Sequence, residues 1–228
     1  MHRLRSSKPN MANLLIIVSA TSSLRFLSKN VLPLVSRTLP YGFIGFVCYG
    51  LDAICLSMQN VHLRAILDNF THGIISCISW YIVSEIRTPR DVIDAISSGI
   101  IACSLDVDHF VAAKSLKLQD ALHLQNRPFL HSTTVVFIVV PMLEVFLAQN
   151  IPYLQSLPYL FAVAIISHHL RDGHRRGLWF WPIGSTPAIP YWLYVVYIVA
   201  LPYFVKELKV SMEKTPDFPV SNNLLFNV

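Results

Sequence analysis

Four short stretches of an otherwise apolar chain carry side chains suited to chemistry. They are Asp68 and His72 in DNFTH, Asp106, Asp108 and His109 in SLDVDH, Arg127, His131 and Ser132 in RPFLHS, and His168, His169 and Asp172 in SHHLRDG. A four-residue spacing places both members of a pair on one helix face, so Asp68 faces with His72 and His168 with Asp172. Neutral imidazole and carboxylate together suit zinc, manganese or iron. The ordinary alternative is that His and Asp gather at helix ends near a membrane surface, where they reach headgroups and water.

The elements that must position these residues are six apolar segments, at 40–60, 65–85, 92–108, 131–149, 157–173 and 188–206. Each is near the roughly 20 residues that a membrane-crossing helix needs, and none shows the ten-residue alternation of a membrane strand. The expected fold is therefore all-α, a polytopic membrane helix bundle of about six transmembrane helices. The third segment is the least apolar, since it lies between Asp91 and Asp94 at one end and Asp106 and Asp108 at the other. Its neighbours must shield it. Pro187, Pro190 and Pro202 predict a kinked last helix. If all six segments span, the start of the second, the end of the third, the start of the fourth and the end of the fifth fall on one side. That side is opposite the N-terminus and gathers the four reactive stretches in one mouth.

Composition supports the bilayer as solvent. The 228 residues are 54% hydrophobic and only 14% charged, with a mean hydropathy of +0.50, against about 25% charged in a typical soluble domain. The net charge of +5 is not gathered into a stripe that would neutralise phosphates, so no nucleic-acid partner is expected. Cys48, Cys55, Cys77 and Cys103 sit in apolar runs without CxxC spacing and read as small buried hydrophobes. The expected division is a basic leader over 1–39, with a short interfacial helix at Leu14 to Ala20, a membrane domain over 40–210 and an irregular tail over 211–228. The leader has no acidic residue before Asp52. Its charge favours a cytosolic N-terminus and an endomembrane, and its transit-peptide-like composition keeps a mitochondrial membrane open.

In their order, Thr71-His72, Asp106-Val107-Asp108-His109, Arg127 to Ser132, and His168 to Asp172 followed by Gly177 and Pro182 resemble the YdjM-type family of membrane-associated, metal-dependent hydrolases. Asn126 and Leu130 stand where the family usually has His and Thr. The resemblance implies a divalent metal, zinc, manganese or iron, held by His72, Asp106 or Asp108, His131, His168 and Asp172, with Asp108 taken as the ligand of that pair. Asp106 and His169 are then the candidates for general base or for orienting a ligand, and a lipid-like or phosphoester molecule is the candidate substrate. Arg127, Arg171, Arg175 and Arg176 read either as a guide for an anionic headgroup or as loop charges. Two other classes stay open. Asp52, Asp68 and Glu144 within apolar runs fit an ion or solute transporter, and the aromatics Trp179 to Trp181 with Trp192, Tyr194 and Tyr197 fit a non-catalytic scaffold or assembly factor.

Overall fold

The computed structural model describes residues 27–213, and apart from one small hairpin their regular elements are helices. The expected interfacial helix at Leu14 to Ala20 and most of the expected tail lie outside the described residues. The chain divides into two units, residues 1–42 and 43–228. In the first, a π-turn over Leu27–Val31 leads into helix α1, Leu32–Ser57. Here Ser36 and Thr38 return their hydroxyls to the carbonyls of Pro33 and Leu34, at 2.9 and 3.0 Å. That internal satisfaction suits a stretch whose Leu34, Val35 and Leu39 are exposed.

In the second unit α1 continues and is followed by α2 (Val61–Ser84), α3 (Pro89–Ser104), α4 (Val107–Ala113) and α5 (Leu118–Leu122). Then come α6 (Thr134–Leu143), extended by a π-turn over Glu144–Ala148, α7 (Leu157–Arg176), the hairpin β1 (Trp179–Phe180) and β2 (Gly184–Ser185), and α8 (Tyr191–Glu213). Local chemistry sets the ends. Asn60 caps α2 by accepting from the N–H groups of His62 and Leu63 at 3.0 and 3.1 Å. Glu85 closes the helix in the left-handed region, at φ 55°. Thr88 and Asp91 form a capping box with Pro89 in the first turn of α3. Asp91 is thus a cap, and Asp94 accepts from Arg90 Nε at 2.8 Å, so both acids at the start of the third segment have partners.

Each of the six apolar segments is helical, and two helical stretches, Ser28–Ser57 and Pro89–Ala113, are long and apolar enough to cross a membrane by length and composition. The fourth segment starts its helix later than expected, because Phe129–His131 is a tight 3-10 turn. The last begins at Tyr191, since Pro187 and Pro190 precede the helix; Pro202 alone lies inside it. All four cysteines are free thiols.

Helix α7 runs through the middle of this unit. Its Tyr159, Leu160 and Val163 pack with Trp80, Ala95, Leu201 and Val205 from α2, α3 and α8. Helices α2 and α3 approach most closely at Gly73 and Gly99, where a Cβ on Gly99 would stand 2.8 Å from the Gly73 carbonyl oxygen. One turn on, the hydroxyls of Ser76 and Ser98 are 2.7 Å apart. Small residues permit such backbone proximity inside an apolar bundle. Gly99→Ala is therefore expected to lower stability by about 1–3 kcal/mol, read as a reduced thermal midpoint in detergent. An unchanged midpoint would mean that the two helices do not meet closely at this position.

Candidate metal centre

Helix α7 presents His168 and Asp172 on one face, one turn apart, and three other elements close on that face. The α3–α4 junction brings Asp106, the 3-10 turn brings His131, and α2 brings His72. His131 Nε2 lies 3.4 Å from Asp106 Oδ1 and 3.4 Å from Asp172 Oδ2. His168 Nε2 lies 3.6 Å from each of the same two oxygens. The two imidazole nitrogens are 3.1 Å apart. One donor atom from each of Asp106, His131, His168 and Asp172 falls within a span of 4.8 Å. Around a tetrahedral metal with bonds of about 2.0–2.1 Å, ligand atoms stand about 3.3–3.4 Å apart. The spacing of this donor set matches that figure.

The partners of the remaining ring nitrogens define which nitrogens carry hydrogen. His168 Nδ1 is 2.9 Å from the Ala102 carbonyl oxygen, which can only accept, so Nδ1 donates and Nε2 keeps its lone pair. His131 Nδ1 faces the Asp108 carboxylate at 3.2 Å and its Nε2 faces Asp106 and Asp172, so Nε2 either carries a proton held by those carboxylates or offers a lone pair to a metal ion. With both Nε2 atoms unprotonated, two lone pairs face each other across 3.1 Å beside two carboxylates. Such a group is stable only with positive charge at its centre, as a proton or a metal ion. The donor set, its spacing and the tautomers therefore fit a divalent metal, and each imidazole has the outer partner that metal-binding histidines ordinarily have.

The other expected residues fall around these four. Asp108 sits on the far nitrogen of His131, and also accepts from the Leu130 N–H at 2.9 Å, which holds the turn in place. Leu130 acts here through its backbone, so the loss of a hydroxyl side chain at that position leaves this bond intact. His109 Nδ1 lies 3.3 Å from Asp108, and Asp108, His109 and His131 form a second, adjoining group of donors. His72 stacks on His168 with ring centroids 3.9 Å apart and meets Asp172 Oδ1 at 3.5 Å. Its Nδ1 is buried without a hydrogen bond among the described residues. His169 Nε2 donates to the Leu130 carbonyl at 2.9 Å, and its Nδ1 is likewise buried and unpartnered among the described residues.

Two contributors escaped the sequence reading. Asn69 Nδ2 donates to Asp106 Oδ2 and to the Cys103 carbonyl, both at 2.8 Å, and so fixes Asp106. Its one signal is position, a turn ahead of His72 on the same helix. Arg171 is not a loop charge. Its side chain is fully buried in α7, its Nη2 lies 2.9 Å from Asp52 and 2.7 Å from Asp68, and Tyr191 adds a hydroxyl to Asp52 at 3.2 Å. Arg175 also reaches Asp68, at 2.5 Å, so the two carboxylates are met by two cations from α7.

Two cavities border the cluster. One of about 30 Å³ is walled by His109, His131, His169 and Asp172 together with Arg127 and Arg176. The other, about 420 Å³, is walled by Asp106, His109 and Asp172 on its polar side. Arg127 donates to the carbonyls of Gly177, at 2.9 Å, and Arg176. Gly177 is required there: its φ is +75°, and a Cβ would stand 1.9 Å from the Thr186 carbonyl oxygen.

Comparison with known proteins places the chain. Residues 67–218 match the family of the YdjM inner membrane protein. Transmembrane protein 267 of Mus musculus is 42% identical over 167 residues, covering 70% of this chain and 77% of that protein. Its counterpart in Bos taurus is 40% identical over 166 residues, with 70% and 77% coverage, and that of Danio rerio is 35% identical over 175 residues, with 72% and 79%. No solved structure matches. The matched residues contain the whole cluster.

Proposed function

Because the chain belongs to the YdjM inner membrane protein family, alongside the transmembrane protein 267 chains, we propose that it is a multi-pass membrane protein acting as a metal-dependent hydrolase. Two helical stretches are long and apolar enough to cross a membrane, and exposed Phe46, Ile54, Leu63, Ile100, Phe137 and Phe204 on these and other helices support six spans in this reading. The membrane domain then covers 40–210. The observation that carries the hydrolase reading is the convergence of two imidazole Nε2 atoms and two carboxylates, with each imidazole oriented from behind.

In this reading Asp106, His131, His168 and Asp172 hold the metal. Asp106 moves from the base expected on sequence grounds to a ligand, and Asp108 moves from ligand to the group that orients His131. His72 stacks behind His168 and steadies Asp172. When bound, such an ion would supply a Lewis acid that activates water and polarises the substrate oxygen, provided that its coordination opens beyond these four side chains.

The chain's own proton chemistry falls to His169. With Nε2 committed to Leu130, its Nδ1 is the atom available to take a proton. The cavity of about 30 Å³ beside it exceeds the roughly 10–15 Å³ that one water needs. Water adds its oxygen to the electrophilic centre and passes its proton to His169, which returns it to the departing alcohol as the ester bond breaks.

A hydrolysis assay on purified protein with ester and phosphoester substrates tests this. Stripping with chelator should abolish turnover, and zinc, manganese or iron should restore it. His169→Gln should cut kcat by about 10²–10⁴-fold while metal content is unchanged. Turnover that survives complete chelation would refute the metal's role, and an unchanged kcat in the variant would refute the base. Of Asp52, Asp68 and Glu144, which prompted the transport reading, the first two already have Arg171 as a partner.

A further inference from the structure

The segment that carries His131 is tied at both ends to one piece of chain. At its start Arg127 donates to the Gly177 carbonyl at 2.9 Å and to that of Arg176. These carbonyls end α7, where a cation also suits the helix dipole. At its other end Ser132 forms a parallel bridge with Trp179. The Thr133 N–H donates to the Trp179 carbonyl at 2.7 Å, the Trp181 N–H to Ser132 Oγ at 3.2 Å, and the Thr134 hydroxyl to the Trp181 carbonyl at 2.9 Å. Ser132 is completely buried.

The hairpin is itself anchored beside Asp172. The N–H groups of Gly177 and Ile189, from its two sides, both donate to the Gly173 carbonyl at 2.9 Å. Next along it, Thr186 donates its N–H to the Leu178 carbonyl at 2.8 Å and accepts the Leu178 N–H on its hydroxyl at 2.9 Å. Hairpin β1–β2 is therefore a strut from α7, which supplies His168 and Asp172, to the turn that supplies His131. That turn is only three residues of 3-10 helix, whereas a functional side chain has to be held within about 0.5 Å. Asp108 and His169 hold it from the Leu130 side. The hairpin holds it from the other.

We propose that Ser132 and Arg127 are positioning residues of the cluster. Through the hairpin strut they fix the His131 imidazole 3.4 Å from Asp172 and 3.1 Å from His168. The consequence for metal affinity rests on the metal reading above, but the placement of the ring does not. Arg127 is then a tie across the end of α7, in place of a guide for an anionic headgroup. Losing Ser132 Oγ leaves the Trp181 N–H without its acceptor, and His131 loses its register with the two α7 donors.

The test reads His131 itself, in full-length protein in detergent with nitrogen-15 in its histidine rings. The His131 ring signals, identified by their loss in His131→Ala, should shift or split in Ser132→Ala and in Arg127→Met. Cobalt(II), used as the probe metal, should bind both variants about 10–100-fold more weakly, with a weaker visible absorption of the tetrahedral ion. Thr134→Val removes a further bond to the hairpin from a partly exposed position and should act in the same direction, which keeps the test open if Ser132→Ala fails to fold. Ile183→Ser, at the hairpin tip where the side chain is 90% exposed, should change neither readout. A lowered thermal midpoint with ring signals and cobalt spectrum unchanged would reduce these bonds to ordinary packing and overturn the proposal. A wild type that binds no cobalt would refute the metal centre, and the ring signals would then decide the positioning role by themselves: displaced in the variants, it stands; unchanged, it falls.

Discussion

Replacing Arg171 by methionine, which keeps most of the side-chain volume, is expected to lower the stability of the folded bundle by about 3–5 kcal/mol, because it strands the Asp52 carboxylate without its cation. The Arg171 side chain has no solvent exposure and that of Asp52 has 5%. Water therefore cannot replace the lost partner. Against a typical total stability of about 5–15 kcal/mol, a loss of that size should leave little folded protein at elevated temperature. Packing alone predicts a smaller cost, since methionine fills much of the same space. The distinguishing measurement is a double-mutant cycle by thermal or chemical unfolding in detergent. Asp52→Asn combined with Arg171→Met should cost clearly less than the two single losses added. Strict additivity would show that the ion pair is not what holds α1, α2 and α7 together there.

Asp172→Asn should have the second largest effect, this time on metal affinity. The substitution preserves shape and removes one of the four converging donors' charges, at a carboxylate that faces His72, His131 and His168. The dissociation constant for zinc or manganese should rise by more than the roughly 100-fold upper range for an outer partner, with hydrolysis lost. Asp108→Asn, which only orients His131, should fall within about 10–100-fold. Metal titrations of the two variants side by side check this order. A larger effect from Asp108→Asn would exchange their roles and return Asp108 to the ligand set that the sequence first indicated.

Helical periodicity made much of this legible. The four-residue spacing of His168 and Asp172 put them on one face, and an expected alternation of spans placed His72, Asp106, Asp108 and His131 at the same mouth, where the helices do bring His72, Asp106 and His131 against that face. The division of labour within Asp106-Val107-Asp108 was not legible. It depends on a break between α3, ending at Ser104, and α4, starting at Val107, which turns Asp106 toward α7 and Asp108 toward the turn at His131. No local pattern encodes that junction. Arg171 was misread for a related reason. It sits among Asp172, Arg175 and Arg176, so its neighbours suggested a solvated charge run, whereas its partner Asp52 is 119 positions away. Asn69 carried even less signal, because a short amide near a helix start has many ordinary uses. Helix boundaries moved where prolines and the 3-10 turn intervened, at Pro187, Pro190 and Phe129–His131.

The most direct measurement is the metal content of the full-length protein, purified in detergent without chelators, set beside a His131→Ala, His168→Ala double variant. Elemental mass spectrometry should find near-stoichiometric zinc, manganese or iron in the wild type and none above background in the variant. A metal-free wild type, or a variant that keeps its metal, would contradict the assignment of Asp106, His131, His168 and Asp172 as a metal centre.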